Sequence, residues 1–217
     1  MDQAIRITSL RPRGDRFRID ISVLDQPLTI SAVLVHRHRL KAGIVITPPQ
    51  LEQLLGEARY DECERAVARM LAYREHAAGE VRDKLRQKKF DRDLIDRVLV
   101  TYTRNGLIDD ARFARGFVRQ QFERKPAWKA YLMAKVMARK VDRSLAETVV
   151  TQFLNGLDET EVAVAALQRK WREYADKDVE TIRQKAYTYL SRRGIGYAAA
   201  KAAFETVHRR THEDSND

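Results

Sequence analysis

Two segments of this chain repeat one arrangement of residues, and this repetition restricts the fold more than any other feature. The first reads KKFDRDLIDRVLVTYTRNGL, from Lys88 to Leu107, and the second reads RKVDRSLAETVVTQFLNGL, from Arg139 to Leu157. Each has a lysine and an apolar residue before Asp-Arg-x-Leu, and each closes on Asn-Gly-Leu. The spacing corresponds to a unit of about 50 residues with roughly three helices, a size typical of helical repeats.

The repeated segments also contain the residues that begin and end helices. Asp91 and Asp142 stand just before apolar residues at helical spacing, where a short acceptor caps the first turn. Gly106 and Gly156 stand where a helix ends in a left-handed residue. Each repeated segment is therefore predicted to be the last helix of one unit, with an acidic residue capping the first helix of the next.

A third and more divergent copy of the unit follows. Leu190 and the segment Arg192–Gly196 match Leu85 and the residues up to Asp91, with glycine in the cap position. Terminal repeats are often atypical because they have a neighbour on one side only. The apolar positions that recur at helical spacing are predicted to form the core, namely Leu85, Phe90, Leu94 and Val98.

The first 47 residues follow a different pattern. Ile5–Ile7 and Phe17–Ile21 alternate between apolar and polar residues, as half-buried strands do. Leu28–Ile30 is predicted to be a third strand, Val33–Leu40 a short helix and Ile44–Ile46 a last strand. Thr47 then precedes two prolines and is predicted to cap the next helix.

The predicted fold class is mainly α-helical, an elongated, solenoid-like array of three tandem three-helix repeats after a small β-rich N-terminal module. A length of 217 residues with 44% hydrophobic side chains is sufficient for one or two domains and a sizeable core. The predicted divisions are a β-rich module 1–47, a linker helix 48–60, repeat 1 at 61–108, repeat 2 at 109–157, repeat 3 at 158–210 and a polar disordered tail 211–217.

The positive charge of the chain is concentrated in the predicted middle repeat. The net charge is +10, which favours an anionic partner, with nucleic acid as the first candidate. Residues 111–157 have ten basic and three acidic side chains, whereas residues 61–110 and 158–217 each have equal numbers. The candidate contact residues in the middle repeat are Arg115, Arg119, Arg124, Lys125, Trp128, Lys129, Lys135, Arg139 and Lys140.

Two interpretations of this segment remain open. Trp128 stands among cations, a combination that suits phosphate contact with stacking on a base, but it also suits a loop anchored by a buried indole. Arg115 and Arg119 are four residues apart and share a helix face, which binds an anion or is simply solvated.

Sequence signatures of enzymes and of metal or cofactor sites are missing. No glycine-rich phosphate loop, nucleophile elbow or Cys-His pairing is present, so no catalytic residue, cofactor or metal is predicted. The acidic pairs Asp109-Asp110 and Asp158-Glu159 follow Gly-Leu, where helix capping is expected, although a metal-dependent nuclease would also use such pairs. Cys63 is interpreted as a buried structural thiol. With no signal peptide or membrane span, a cytoplasmic location is expected.

Two further stretches resemble the signature of the RecX family. The first runs from Leu71 through Arg74-Glu75-His76 to Leu85, and the second includes Asn105-Gly106-Leu107, Asp109-Asp110 and Phe113. The resemblance covers about residues 60–208 in three repeats, and the N-terminal module is similar to the extension of longer family members. The family usually has Ser or Thr after Arg-Glu-His to cap the next helix, but Ala77 and Ala78 stand here, so this cap is lost or moved.

The RecX resemblance implies a function without catalysis. RecX proteins regulate the bacterial RecA recombinase, with roles in DNA repair, recombination and the SOS response. The resemblance therefore implies binding to the RecA filament on single-stranded DNA, with no cofactor. Duplex DNA is a further candidate partner, no membrane is expected as a partner, and the protein is expected to be a monomer. It implies inhibition of filament growth, ATP hydrolysis and strand exchange. Two alternatives remain, a basic nucleic-acid-binding module that acts without RecA, and a nuclease that uses the acidic pairs.

Overall fold

The computed structural model describes residues 4–174 and 177–213. This part of the chain is mainly helical with a small N-terminal sheet, as predicted. It divides into two compact units, the residues up to Glu75 with Val81–Leu107, and His76–Glu80 with the residues from Ile108 on. The first unit begins with β1 (Ile5–Arg13), β2 (Arg16–Ile21), β3 (Leu28–Ser31), α1 (Ala32–Arg37), β4 (Val45–Ile46) and α2 (Pro48–Tyr73).

Eight further helices follow within the described residues. Helix α3 (Ala78–Gln87) begins in the segment counted with the second unit, and α4 (Arg92–Arg104) closes the first unit. The second unit continues with α5 (Asp110–Arg124), α6 (Lys129–Met137), α7 (Arg143–Leu154), α8 (Glu159–Trp171) with a short 3₁₀ turn (Arg172–Tyr174), α9 (Val179–Ser191) and α10 (Tyr197–Glu213). No helix in these two described stretches has both the length and the apolar composition needed to cross a membrane.

The N-terminal sheet packs directly on helix α2. Its strands are antiparallel in the order β3-β2-β1-β4. Ile7, Ile19 and Ile30 are fully buried with Leu54 and Ala58 of α2. As predicted, Thr47 caps α2, in a reciprocal capping box with Gln50.

The predicted boundary at residue 60 lies inside a helix. Helix α2 runs unbroken from the sheet side into the first repeat, so the expected linker helix 48–60 is not a separate element. Asp61 of α2 forms a 2.6 Å ion pair with Arg16 of β2, and Arg65 of α2 forms a 2.8 Å ion pair with Asp15. Because one helix supplies both cores, the β-rich module and the first repeat form one compact unit.

Equivalent turns recur in the three repeats. In each repeat, the loop between the second and third helices contains one left-handed residue, namely Lys89 (φ 61°), Lys140 (φ 63°) or Gly194 (φ 75°). A buried apolar residue follows each time, at Phe90, Val141 and Ile195. The second helix of every repeat thus ends in the same way, since the left-handed residue turns the chain and the apolar residue that follows anchors it in the core.

The helix ends agree with the sequence in most places. Gly106 and Gly156 are left-handed, with φ of 68° and 83°, as expected. Asp142 accepts hydrogen bonds from the backbone N–H groups of Ser144 and Leu145. Asp91 occupies the predicted N-cap position of α4, but its side chain makes no capping hydrogen bond.

Two predictions about the core and the C-terminus were wrong in detail. Leu94 is only half-buried, because the adjacent Ile95 faces the core of α4 and is fully buried. The segment predicted as a disordered tail begins as helix, since α10 continues to Glu213. Thr211 lies inside this helix and donates its hydroxyl to the Val207 carbonyl oxygen at 2.9 Å. Residues 214–217 lie outside the described residues.

Acid is expected to weaken the second unit through these caps. The hydrogen bonds of Ser144 hold the pKa of Asp142 below its usual 3.8, and those of Thr181 do the same for the pKa of Asp178. Such a carboxylate stabilises the fold above pH 3.8, and the contribution is lost as the pH falls through the folded pKa. Asn also caps helices, so Asp142→Asn should preserve Tm at neutral pH and reduce the fall in Tm between about pH 5 and pH 2.

The reporter for this prediction is intrinsic fluorescence, because Trp128 and Trp171, the only two tryptophans of the chain, both belong to the second unit. The matched control is Asp91→Asn, which removes a carboxylate from the same place in the first repeat without removing a side-chain cap. Because Asp91 lies in the first unit, both variants are also followed by circular dichroism, to which the helices of both units contribute. An equal effect of both variants on the acid-induced fall in Tm would contradict the assignment to the Asp142 cap.

Candidate nucleic-acid interface

The first acidic pair caps two different helices. Asp109 accepts the backbone N–H of Arg112 at 2.9 Å, and this hydrogen bond lowers the pKa of Asp109. Asp110 accepts the backbone N–H of Ala78 at 2.7 Å, at the start of α3. The cap that Ala77 and Ala78 cannot supply has therefore moved to a carboxylate 32 residues further along the chain.

The second acidic pair works in a similar way. Asp158 accepts the backbone N–H of Glu161 at 2.9 Å in the first turn of α8. Glu159 accepts the backbone N–H of Gly196 at 2.7 Å, at the start of α10. Capping accounts for all four carboxylates, and the described residues contain no group of three or more His, Cys, Asp or Glu placed to hold a metal ion.

A close contact occurs at Gly79, which lies within the first signature stretch. A Cβ atom at Gly79 would lie 2.5 Å from both the Cβ and the carbonyl oxygen of Lys140. Next to it, Glu80 forms a 3.0 Å ion pair with Arg139, whose guanidinium lies 5.1 Å from the ring centroid of Phe117. Arg139 thus has a packing role inside the second unit, and the α6–α7 turn is held against the start of α3.

The remaining signature positions are also engaged in local structure. Arg74 ends α2 and donates to the carbonyl oxygen of Glu75 at 2.7 Å. His76 is 3% exposed, and Phe113 is buried with its ring stacked 5.8 Å from that of Phe117. The signature thus supports the fold at these positions.

The predicted cations differ in their surroundings. Lys129 forms a 3.0 Å ion pair with Glu147 that lowers the pKa of Glu147. Lys135 places its Nζ atom 5.2 Å from the ring centroid of Tyr131. Among the cations predicted as contact residues, those with exposed side chains are Arg115, Arg119, Arg124, Lys125, Lys135 and Lys140.

Trp128 is packed within the second unit. Its half-buried side chain contacts both hydrophobic clusters of this unit, one built on α5–α7 and the other on α8–α10. Its backbone N–H donates to the Arg193 carbonyl oxygen at 2.9 Å. These contacts favour the anchoring interpretation of the indole over base stacking.

The second unit contains a basic groove that was not predicted from the sequence. The groove has a volume of about 550 Å³ and includes Lys125 from the α5–α6 connection. Its other cations come from α8, α9 and the turn that follows, where the segment charge is zero. A helical reading of α9 would have indicated it, because Lys185 and Arg192 are seven residues apart and share a face. The lining residues of the groove are Lys125, Tyr131, Lys170, Tyr174, Gln184, Lys185, Thr188, Tyr189, Arg192 and Arg193.

The fold and these contacts define a basic protein built from three-helix units whose acidic residues cap helices. Family models match at both ends of the helical region, "RecX, first three-helix domain" at residues 63–100 and "RecX, third three-helix domain" at residues 158–204. Regulatory protein RecX of Chlorobaculum tepidum is 30% identical over 140 residues, covering 64% of this chain and 84% of that protein. The chain belongs to the RecX family.

Other relatives agree in sequence and in fold. Regulatory protein RecX of Clostridium beijerinckii is 25% identical over 184 residues, covering 82% of this chain and 84% of that protein. A solved structure of regulatory protein RecX matches with a TM-score of 0.66 at 16% identity, over 91% of this chain and 97% of the other. RecX from Lactobacillus salivarius matches with a TM-score of 0.59 at 18% identity, over 69% and 97%. At these identities the solved structures support the fold alone.

Proposed function

We propose that this protein regulates the RecA recombinase, mainly as an inhibitor. It binds the RecA filament on single-stranded DNA and blocks filament extension, ATP hydrolysis and strand exchange. The observation that supports this most is the exposed basic surface of the middle repeat in a member of a family of regulatory proteins. Such a surface suits the phosphates of a strand or an acidic protein surface.

The repeat organisation supports a mode of action. In the proposed mechanism the three repeats form an elongated solenoid, acting as a monomer without a cofactor. Stacked repeats offer an extended surface, which fits a long partner better than a compact domain does. The protein would bridge successive RecA subunits and hinder the changes that growth and ATP turnover require. The proposed nucleic-acid partners are single-stranded DNA, as part of the filament, and duplex DNA as a further candidate.

The test removes three exposed cations of α5 and measures inhibition of RecA. Changing Arg115, Arg119 and Arg124 to Ala should weaken binding to the RecA–DNA filament and lower the slope of log affinity against log salt by about 2. The concentration needed to halve RecA ATP hydrolysis should rise in parallel. Each lost phosphate contact on a single strand contributes about 0.7 to that slope.

The control removes three cations from the first repeat. Arg82 and Arg86 already face Asp96 at 3.3 Å and Asp83 at 3.8 Å, so the triple change of Arg82, Arg86 and Lys88 to Ala should have less effect. Equal losses from both triple variants, with equal salt slopes, would show that the footprint is spread over the repeats. If neither variant nor the parent alters RecA activity, the proposed function is wrong.

A second candidate function is nucleic-acid binding without RecA, and the groove favours it. Binding of labelled DNA with and without RecA separates the two functions. The nuclease alternative has less support because the acidic pairs bind backbone N–H groups. DNA cleavage with Mg²⁺ that disappears in the double variant Asp109→Ala, Asp110→Ala would restore it.

A further inference from the structure

The groove of the second unit is basic because acidic residues of the same part of the chain cap helices or form ion pairs outside the groove. Asp178 caps α9 by accepting the backbone N–H of Thr181 at 2.9 Å, and Glu180 forms a 2.7 Å ion pair with Arg183. Together with Asp158, Glu159 and Glu161 at the start of α8, five carboxylates of residues 158–217 lie at helix N-termini. Residues 158–217 have equal numbers of basic and acidic side chains. The described residues that line the groove nevertheless include five cations and no carboxylate.

Three cations of the groove are exposed and available to a ligand. Lys125, Lys185 and Arg192 are exposed, and none forms an ion pair with a carboxylate in residues 4–174 and 177–213. Lys170, a fourth lining cation, is paired with Glu173. The unpaired cations come from the α5–α6 connection, from α9 and from the turn after α9, so they surround the groove.

A fifth cation is held in a fixed orientation. Arg193 donates from Nη1 to the Pro126 carbonyl oxygen at 3.2 Å, and its guanidinium lies 4.4 Å from the ring centroid of Tyr189. The Tyr189 hydroxyl in turn donates to the Ala166 carbonyl oxygen at 3.2 Å. The Nε–H of Arg193 is buried without a hydrogen-bond partner in the described residues. This network positions positive charge at the groove before any ligand binds.

We propose that this groove binds the sugar–phosphate backbone of a single-stranded nucleic acid, with Lys125, Lys185 and Arg192 contacting successive phosphates. That the strand is single-stranded DNA rests on the proposed function. Cations beside tyrosine side chains suit a chain of phosphates whose bases stack on aromatic rings. An acidic peptide fits less well, because the second unit has no described strand on which a peptide could add by backbone pairing.

The test uses the full chain and a fluorescent oligothymidylate without RecA. Changing Lys125, Lys185 and Arg192 to Gln should lower the slope of log affinity against log salt by about 2. If both lines converge at 1 M salt, this corresponds to about 100-fold weaker affinity at 0.1 M. Circular dichroism and tryptophan fluorescence of the variant should match those of the parent, since all three side chains are exposed.

The matched control removes the same charge from another face of the same segment. Lys201, Arg209 and Arg210 are exposed on α10 and do not line the groove, so their change to Gln should leave most of the affinity. Equal losses of oligonucleotide affinity in both variants would overturn the proposal that the strand binds in the groove, and would show only a general effect of net charge. Competition by polyglutamate as strong as by unlabelled oligothymidylate would also overturn it, in favour of an acidic peptide ligand.

A parallel RecA assay separates failure of the groove from failure of the proposed function. Unchanged oligonucleotide affinity in the groove variant overturns the groove, whatever its effect on RecA. Weakened oligonucleotide binding with unchanged inhibition of RecA ATP hydrolysis supports the groove and shows that RecA regulation does not use it. Absence of RecA regulation by the parent, with the expected strand binding, supports the groove and contradicts the proposed function.

Discussion

Replacing Gly79 by valine is expected to lower the free energy of unfolding of the second unit by about 3 kcal/mol, at the upper end of the usual cost of overpacking. A Cβ atom at this position would overlap the Cβ and the carbonyl oxygen of Lys140, both at 2.5 Å. The carbonyl belongs to the backbone of the α6–α7 turn and cannot rotate away as a side chain can. The change would therefore separate the turn from the start of α3. Denaturant titration followed by tryptophan fluorescence measures the effect.

The control for this prediction is Gly116→Ala in helix α5. A Cβ atom there would meet nothing within 4 Å, and the residue lies in the same unit. Removing a glycine from a helix interior should raise stability by about 1 kcal/mol, because alanine loses less conformational entropy on folding. Destabilisation by Gly116→Ala, or tolerance of Gly79→Val, would show that the close approach to Lys140 is not as tight as the geometry indicates.

Truncating Leu132 to alanine is expected to destabilise the second unit by about 2–5 kcal/mol. Leu132 is fully buried in the cluster formed by α5, α6 and α7, where a cavity would remain because its neighbours relax only in part. The cost combines the lost transfer of apolar atoms from water with lost packing. The same fluorescence titration would show the midpoint shifting to lower denaturant concentration.

The comparison for Leu132 is Met137→Ala in the same helix. Met137 is 39% exposed, so its truncation removes few buried contacts and should cost about 0.5 kcal/mol. Similar losses at both positions would mean that α6 contributes to stability by helix propensity and not by its buried face.

Local rules predicted the helix ends and the repeats. Asp142 and the glycines at 106 and 156 act within a turn of their own helix, so neighbouring residues suffice to predict them. Asp110 acts on Ala78, from a distant part of the chain, and only the folded structure reveals this contact. Ile95 rather than Leu94 enters the core because helix orientation depends on the packed neighbours, which periodicity over a few residues fixes only approximately.

The candidate site shows a second limit of reasoning from sequence. Counting charges by segment identified the exposed cations of α5 but overlooked Lys185 and Arg192, since opposite charges cancel in a count even when they face different ways. It also included Arg139, which the structure pairs with Glu80. The boundary at residue 60 was wrong because a change of pattern from strand to helix does not show how far the helix extends.

Because acidic residues serve as helix caps, the long-range attraction of an anion and its contact in the groove depend on different residues of this molecule. Attraction over more than about 10 Å depends on net charge and is screened by salt. Contact in the groove depends instead on which side chains line it. Neutralising surface lysines far from the groove should therefore slow the encounter with a strand, while the lifetime of the bound state stays nearly constant.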